Sequence, residues 1–304
     1  MTKPVFIAMP GNETKASRLA AMAQGEVCPL EMHTFPDGEV CPRLMQNVSN
    51  RSVAIVCTLN QPNGKVLPLV FAADAARQQG ACEVGLIAPY LSYMRQDRRF
   101  HSGEAVTSRT FAALISRGFD WLVTVDPHLH RIQSLGEIYS IPTRALHAGL
   151  PIAAWIKSNI PQPFLIGPDE ESRQWVEEVA NQCSAPFVTL SKNRLGDRNV
   201  RIEFDHPALP DHATPVLLDD IVSSGRTVLE TIRLIRPMTQ RGPVVIAIHG
   251  VLAADAEHAI LQAGARLVTS NSIAGYSAVI DLDPLIACGI AKLVGRPIEG
   301  RVGI

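Results

Sequence analysis

The sequence predicts an α/β protein of two tandem domains, each a mainly parallel sheet flanked by helices. Three observations carry that expectation. Short apolar or β-branched runs alternate with longer helical patterns along the 304 residues. The strand-like runs are almost continuously apolar, which fits strands covered on both faces. One strand–loop–helix–turn–strand unit also occurs twice, faintly: SVAIVCTLNQPNGKVLPLVFAADAARQQGACEVGLIAPY (52–90) and PVLLDDIVSSGRTVLETIRLIRPMTQRGPVVIAIHG (215–250).

Taken in order, PVFIA (4–8) leads into a helical pattern at 14–23, and SVAIVC (52–57) into one at 66–79. EVGLIAP (83–89) is followed by a polar stretch and a helix at 107–116, then by WLVTVD (121–126). HAGLP (147–151) interrupts the alternation, so the boundary is set there, giving domains 1–148 and 149–304. The second domain runs through PFLIGP (163–168), a helix at 170–182, APFVTL (185–190) and PVLLDD (215–220). Then follow a helix at 226–237, PVVIAIHG (243–250), a helix at 255–263 and ARLVTS (265–270).

Composition narrows the function classes. Hydrophobic residues make up 46%, enough for full cores, and the formal net charge of -1 argues against bulk attraction to nucleic acid or membrane. The six cysteines, Cys28, Cys41, Cys57, Cys82, Cys183 and Cys288, form no CxxC pair, and most sit in apolar runs. That pattern predicts a reduced, cytoplasmic protein with buried thiols. No leader-like or membrane-length apolar segment is expected.

The stretch PVLLDDIVSSGRTVLETIRLI (215–235) carries the strongest chemistry. It puts Asp219 and Asp220 at the carboxyl end of a parallel strand, where α/β ligand crevices open. Adjacent carboxylates repel and resist burial, so a cation or sugar hydroxyls should meet them. Free N–H groups at the following helix start, with the hydroxyls of Ser223, Ser224 and Thr227 and a bend at Gly225, form an anion cradle. The plain alternative is a capped helix with two surface acids. This arrangement resembles the phosphoribosyl-diphosphate (PRPP) loop of type I phosphoribosyltransferases and of ribose-phosphate pyrophosphokinases, and by itself does not separate the two.

The other motifs do. APYLSYMRQDRRFHSGEAVTSRTFAALI (88–115) contains Arg95, Gln96, Asp97, Arg98 and Arg99. Most charge runs are solvated turns, yet guanidinium forks suit polyphosphate. The run resembles the ATP-binding segment of the pyrophosphokinases, which phosphoribosyltransferases lack. VTVDPHLHRIQSLGEI (123–138) alternates Asp126, His128 and His130, which extended backbone would put on one face. An HxH pair is either a metal ligand pair or two structural histidines, and metal-dependent amidohydrolases use one with later partners that are not found here. The resemblance assigns His128 a catalytic role at Mg²⁺–ATP and leaves His130 open.

IGPDEES (166–172) resembles the family's strand followed by PD, implying metal binding by Asp169, a residue that also suits a helix start. TLSKNRLGDRNVRI (189–202) resembles the mobile loop whose lysine and arginine close over the transferring phosphates, which falls to Lys192 and Arg194. TFPDGEV (34–40) resembles the FxDGE run; there Phe35 would stack on adenine from a neighbouring subunit, with Asp37 and Glu39 at the nucleotide's edge.

Five motifs in the family's order, from Phe35 to Thr227, imply two tandem phosphoribosyltransferase-like domains, ATP on the first and ribose 5-phosphate on the second. They imply conversion of ATP and ribose 5-phosphate to AMP and PRPP with Mg²⁺, in a homo-oligomer of unspecified size. The ribose 5-phosphate set would be Asp219, Asp220, Ser223, Ser224, Gly225, Arg226 and Thr227. The chain departs from the family's common DDxxDTGGT loop at Ser223 and Arg226. A regulatory subunit without activity and a PRPP-consuming transferase are the alternatives. If residue 226 needs φ > 0 the cradle is impaired; if it is helical, its N–H still serves.

Overall fold

The computed structural model describes residues 3–169, 172–195, 199–204, 209–210 and 212–294. The chain divides into two compact units, Met1–Leu146 with Asp283–Ile304, and His147–Leu282.

Unit 1 opens with β1 (Val5–Ala8), α1 (Glu13–Met22), β2 (Glu26–Cys28) and a two-stranded antiparallel hairpin, β3 (Leu30–Thr34) and β4 (Val40–Leu44). It continues with β5 (Ser52–Val56), α2 (Asn63–Gln78), β6 (Glu83–Ala88), α3 (Thr107–Gly118), β7 (Trp121–Val125) and β8 (Thr143–Leu146). Its sheet is parallel throughout, in the order β2-β1-β5-β6-β7-β8. The middle strands are buried along almost their full length, as continuous apolar runs require. Leu86, Leu122, Leu69, Phe111 and Ile115 centre the core on one face.

Unit 2 holds α4 (Gly149–Asn159), β9 (Pro163–Gly167), α5 (Arg173–Cys183), β10 (Phe187–Leu195), β11 (Asn199–Phe204) and β12 (Thr214–Val222). Then come α6 (Arg226–Ile235), β13 (Val244–Gly250), α7 (Ala256–Gln262), β14 (Arg266–Ser270) and β15 (Ala278–Ile280). The order is β11-β10-β9-β12-β13-β14-β15, parallel except for the antiparallel β10–β11 pair.

Counted within each unit, the parallel strands of both sheets follow one order: second, first, third, fourth, fifth, sixth. In each, an antiparallel excursion follows the second strand. The repeat seen at 52–90 and 215–250 is β5–α2–β6 and β12–α6–β13, parallel neighbours in both units. The order reverses between the first and third strands, and ligand crevices form at such switch points. In unit 2 that is the β9/β12 pair.

α8 (Asp283–Val294) belongs with unit 1, so the expected span 149–304 for the second domain does not describe the packing. The reason is local. Asp283, 1% exposed, accepts Lys15 Nζ at 2.6 Å and Arg18 Nε at 2.9 Å, both from α1. On the next turns α8 lies against β7 and β8. A Cβ at Gly289 would stand 2.7 Å from Leu146 Cδ2, so glycine allows the approach. The other boundary falls between Leu146 and His147, close to the expected 148.

The cysteines are all free, but only Cys28, Cys57 and Cys183 are buried; Cys41 and Cys82 are exposed and Cys288 is intermediate. Buried thiols therefore describe half of them. Burial pushes the Cys57 thiol up to about 12, leaving it inert. No helix among the described residues is long and apolar enough to cross a membrane.

Candidate functional site

β12 runs apolar and buried from Thr214 to Leu218, and its last turn outward delivers Asp219 and Asp220 at the sheet's carboxyl edge. Its neighbour β9 ends at Gly167, and two residues on comes Asp169. Adjacent strand ends thus gather three carboxylates at the switch point of unit 2. Asp219 feels them all: its pKa is pushed up to about 8, first by burial, then by the charge of Asp220 and their shared hydrogen bond, then by the charge of Asp169. Only the backbone N–H of Asp220 works the other way. Around neutral pH the pair therefore retains a proton unless a cation arrives. Asp169 also does what its residue type suggests at a helix start: its Oδ1 accepts the Ser172 N–H at 3.0 Å, while Ser172 Oγ donates to the Asp169 carbonyl at 2.6 Å.

The loop after β12 turns at Gly225, which has φ 70° and stands as N-cap of α6 with no side chain capping the helix. The first N–H groups of α6 are therefore unclaimed by side chains. Arg226 is the first residue of the helix and is absent from the residues with positive φ. Of the two conformations weighed for position 226, the helical one is found. Its side chain is exposed and makes no ion pair among the described residues. The loop is steadied from behind, where Ala253 N–H donates to the Ser223 carbonyl at 3.1 Å, and Thr231 Oγ1 donates to the Thr227 carbonyl at 2.9 Å.

Hard oxygen donors carrying mutual repulsion suit Mg²⁺, which is commonly held by one or two carboxylates and completes its shell with water and phosphate oxygens. Among the described residues no three His, Cys, Asp or Glu side chains form a ready-made metal cage.

Lys192 and Arg194 lie on β10, not in a loop: the ladder pairs Lys192 with Ile202 and Arg194 with Val200. Their side chains are outside the described residues, as are residues 170–171 and 196–198 of the quoted motifs.

In unit 1, segment 95–104 follows Tyr93, itself at φ 63°. Arg95, Gln96, Arg98 and Arg99 are exposed, with Arg98 5.0 Å from the Phe100 ring centroid. Asp97 is not: its side chain is 3% exposed, and Arg131 Nη1 straddles its two carboxylate oxygens at 3.1 Å each. Sequence reasoning passed over Arg131. The only available signal was that Asp97, between exposed arginines, needed a cation if it turned inward.

β7 stops at Val125, and Asp126 takes φ 32°, so the backbone there is not extended as the alternation of Asp126, His128 and His130 required. The two histidines still meet, ring centroids 4.4 Å apart and near perpendicular. Phe35, 42% exposed, sits at the tip of the β3–β4 hairpin against His33. Asp37 Oδ1 accepts the Glu39 N–H at 3.1 Å and so shapes the turn.

Residues 5–118 match the family model described as the N-terminal domain of ribose phosphate pyrophosphokinase, and residues 134–264 match the phosphoribosyl transferase domain. The chain is 31% identical to the ribose-phosphate pyrophosphokinase of Methanopyrus kandleri over 284 residues, covering 91% of this chain and 95% of the relative. It is 32% identical to that of Saccharolobus solfataricus over 252 residues, 80% and 84% of the two chains. Among solved structures, phosphoribosylpyrophosphate synthetase from Mycobacterium smegmatis shares the fold, with a TM-score of 0.83, 21% identity and coverage of 96% and 99%.

Proposed function

The chain belongs to the ribose-phosphate pyrophosphokinase family, and we propose on that premise that it converts ATP and ribose 5-phosphate to AMP and PRPP. The convergence of Asp169, Asp219 and Asp220 beside the uncapped start of α6 supports the sugar-phosphate half of the reading, and the match of residues 5–118 to the pyrophosphokinase N-terminal domain carries the choice over a transferase.

In this reading the N–H groups of residues 223–227, with the hydroxyls of Ser223, Ser224 and Thr227, bind the 5-phosphate. Asp219 and Asp220 orient the ring hydroxyls. Arg95 and Gln96 hold the nucleotide, with Phe35, Asp37 and Glu39 supplied by a neighbouring copy. Asp169 and His128 are the residues that would hold metal. A bound Mg²⁺ would offset the charge of the carboxylates and the phosphates. The anomeric oxygen attacks the β-phosphorus, its proton is released, and the α–β bridging bond breaks with AMP as leaving group. Such transfers need alignment and charge neutralisation above all, and Lys192 and Arg194 supply the latter.

A PRPP-consuming transferase would need a base and no ATP. An inactive regulatory subunit would need a disabled cradle, and the helical backbone at Arg226 speaks against that. The test is incubation with ATP, Mg²⁺ and ribose 5-phosphate, with AMP and PRPP measured as products. Their absence from a folded protein that still binds ribose 5-phosphate overturns the reading. The borrowed Phe35 further implies a homo-oligomer, and sedimentation of a fully active monomer would rule that out.

A further inference from the structure

We propose that Arg131 is a positioning residue for the nucleotide side of unit 1: by holding Asp97 it fixes segment 95–104 against the turn that carries His128. The inference rests on the reading that segment 95–104 and His128 serve ATP.

The geometry is one-sided. Arg131 stands on a turn that is itself well anchored. Ile132 and Leu135 beside it are 5% and 3% exposed. Glu137 Oε1 accepts the Gln133 N–H at 2.8 Å and the Ser134 N–H at 3.3 Å, closing a capping box over residues 134–137. His128 lies three residues before Arg131 on the same turn.

Segment 95–104 is anchored more thinly, by backbone bonds at Gln96, whose N–H donates to the Tyr93 carbonyl and whose carbonyl accepts the Ser108 N–H, each at 3.3 Å. Its side-chain bonds are internal: Glu104 Oε2 accepts the Phe100 and His101 N–H groups at 2.8 and 2.9 Å, and Arg99 Nε donates to the Glu104 carbonyl at 3.0 Å. Among the described residues, the Asp97–Arg131 contact is the one side-chain hydrogen bond or ion pair that leaves the segment for another element. Asp97 is also its most inward carboxylate, so removing the guanidinium strands a charge with 3% exposure. That segment must then shift to rehydrate the group. Such a shift carries Arg95 and Gln96 with it. Asp97 accordingly acts by placing the loop, not by touching the nucleotide.

The experiment uses the full chain and reads binding of ATP and of ribose 5-phosphate separately by calorimetry, with steady-state KM values alongside. Arg131→Ala should weaken ATP binding about tenfold, the scale of a coupled charge pair, with ribose 5-phosphate affinity unchanged. Asp97→Asn should do the same, and the double variant should be no worse than either single one. Arg131→Lys should recover most of the loss, because one nitrogen makes both contacts. Unchanged ATP affinity in Arg131→Ala, additive losses in the double variant, or equal weakening for both substrates would each overturn the proposal. A fall in kcat with Asp97→Asn harmless would instead make Arg131 a direct phosphate ligand. Wild-type protein that binds no ATP overturns this inference together with the nucleotide reading; one that binds ATP yet forms no PRPP overturns the activity alone.

Discussion

Replacing Asp219 by asparagine should stabilise the metal-free protein, and by more as the pH rises. Burial and the charges of Asp220 and Asp169 raise the Asp219 pKa from 3.8 to about 8. Between those values the native state keeps a proton that the unfolded chain releases, so stability falls with increasing pH and levels off above about 8. Four units at about 1.4 kcal/mol each give an upper bound of about 6 kcal/mol. Asp219 and Asp220 titrate as a pair, so the expected gain at pH 8 lies well below that bound, on the order of 3 kcal/mol. Asparagine mimics the protonated acid and escapes the penalty. The assay is thermal unfolding of both proteins in chelator from pH 4 to 9. The midpoints should nearly coincide at pH 4 and separate by about 5–10 °C at pH 8, the variant higher. Mg²⁺ should then close the gap by stabilising the wild type alone. Parallel curves, or a wild type that gains stability across that range, would refute the electrostatic argument. The same variant should lose PRPP synthesis.

In the cradle, Asp220→Asn and Thr227→Val should abolish ribose 5-phosphate binding by calorimetry, while Arg226→Gly changes it only a few-fold because the backbone N–H is retained; no binding by the wild type, restored by Arg226→Gly, would reverse this. Lys192→Ala and Arg194→Ala should each lower kcat by orders of magnitude with ribose 5-phosphate binding intact, since their charge is needed mainly in the transition state. A changed KM at constant kcat would refute that role. Gly289→Val should cost about 2–3 kcal/mol in urea unfolding, because the added carbons meet Leu146 at 2.7–3.2 Å. Unchanged stability would mean that α8 and β8 separate easily.

What the sequence revealed followed from burial. β1, β5, β6, β7, β9, β10, β12, β13 and β14 begin in apolar or β-branched runs next to helical patterns, and all stood out. β2, β8 and β15 are three or four residues each and only partly buried, and β3 and β4 are largely exposed, so no continuous apolar run marked them. α4 was hidden by Gly149 and Pro151, taken as an interruption; both lie in its first turn, where proline is tolerated. α8 was not expected; its Gly289 lies within the helix and serves close packing. At the site, contiguous motifs were readable because strand end, loop and helix start adjoin in the chain. The Asp97–Arg131 pair was not, since its partners are 34 residues apart and no local pattern joins them.

The return of α8 to unit 1 has a consequence during synthesis. A ribosome releases unit 2 in full before Asp283 emerges, so Lys15 and Arg18 wait through the making of some 260 residues for their buried counter-charge. Unit 1 cannot reach its final form in the order in which it is translated, whereas unit 2 can close as one uninterrupted segment. Nascent chains stalled before residue 283 should therefore carry a settled inner unit and an unfinished outer one, the reverse of ordinary vectorial folding.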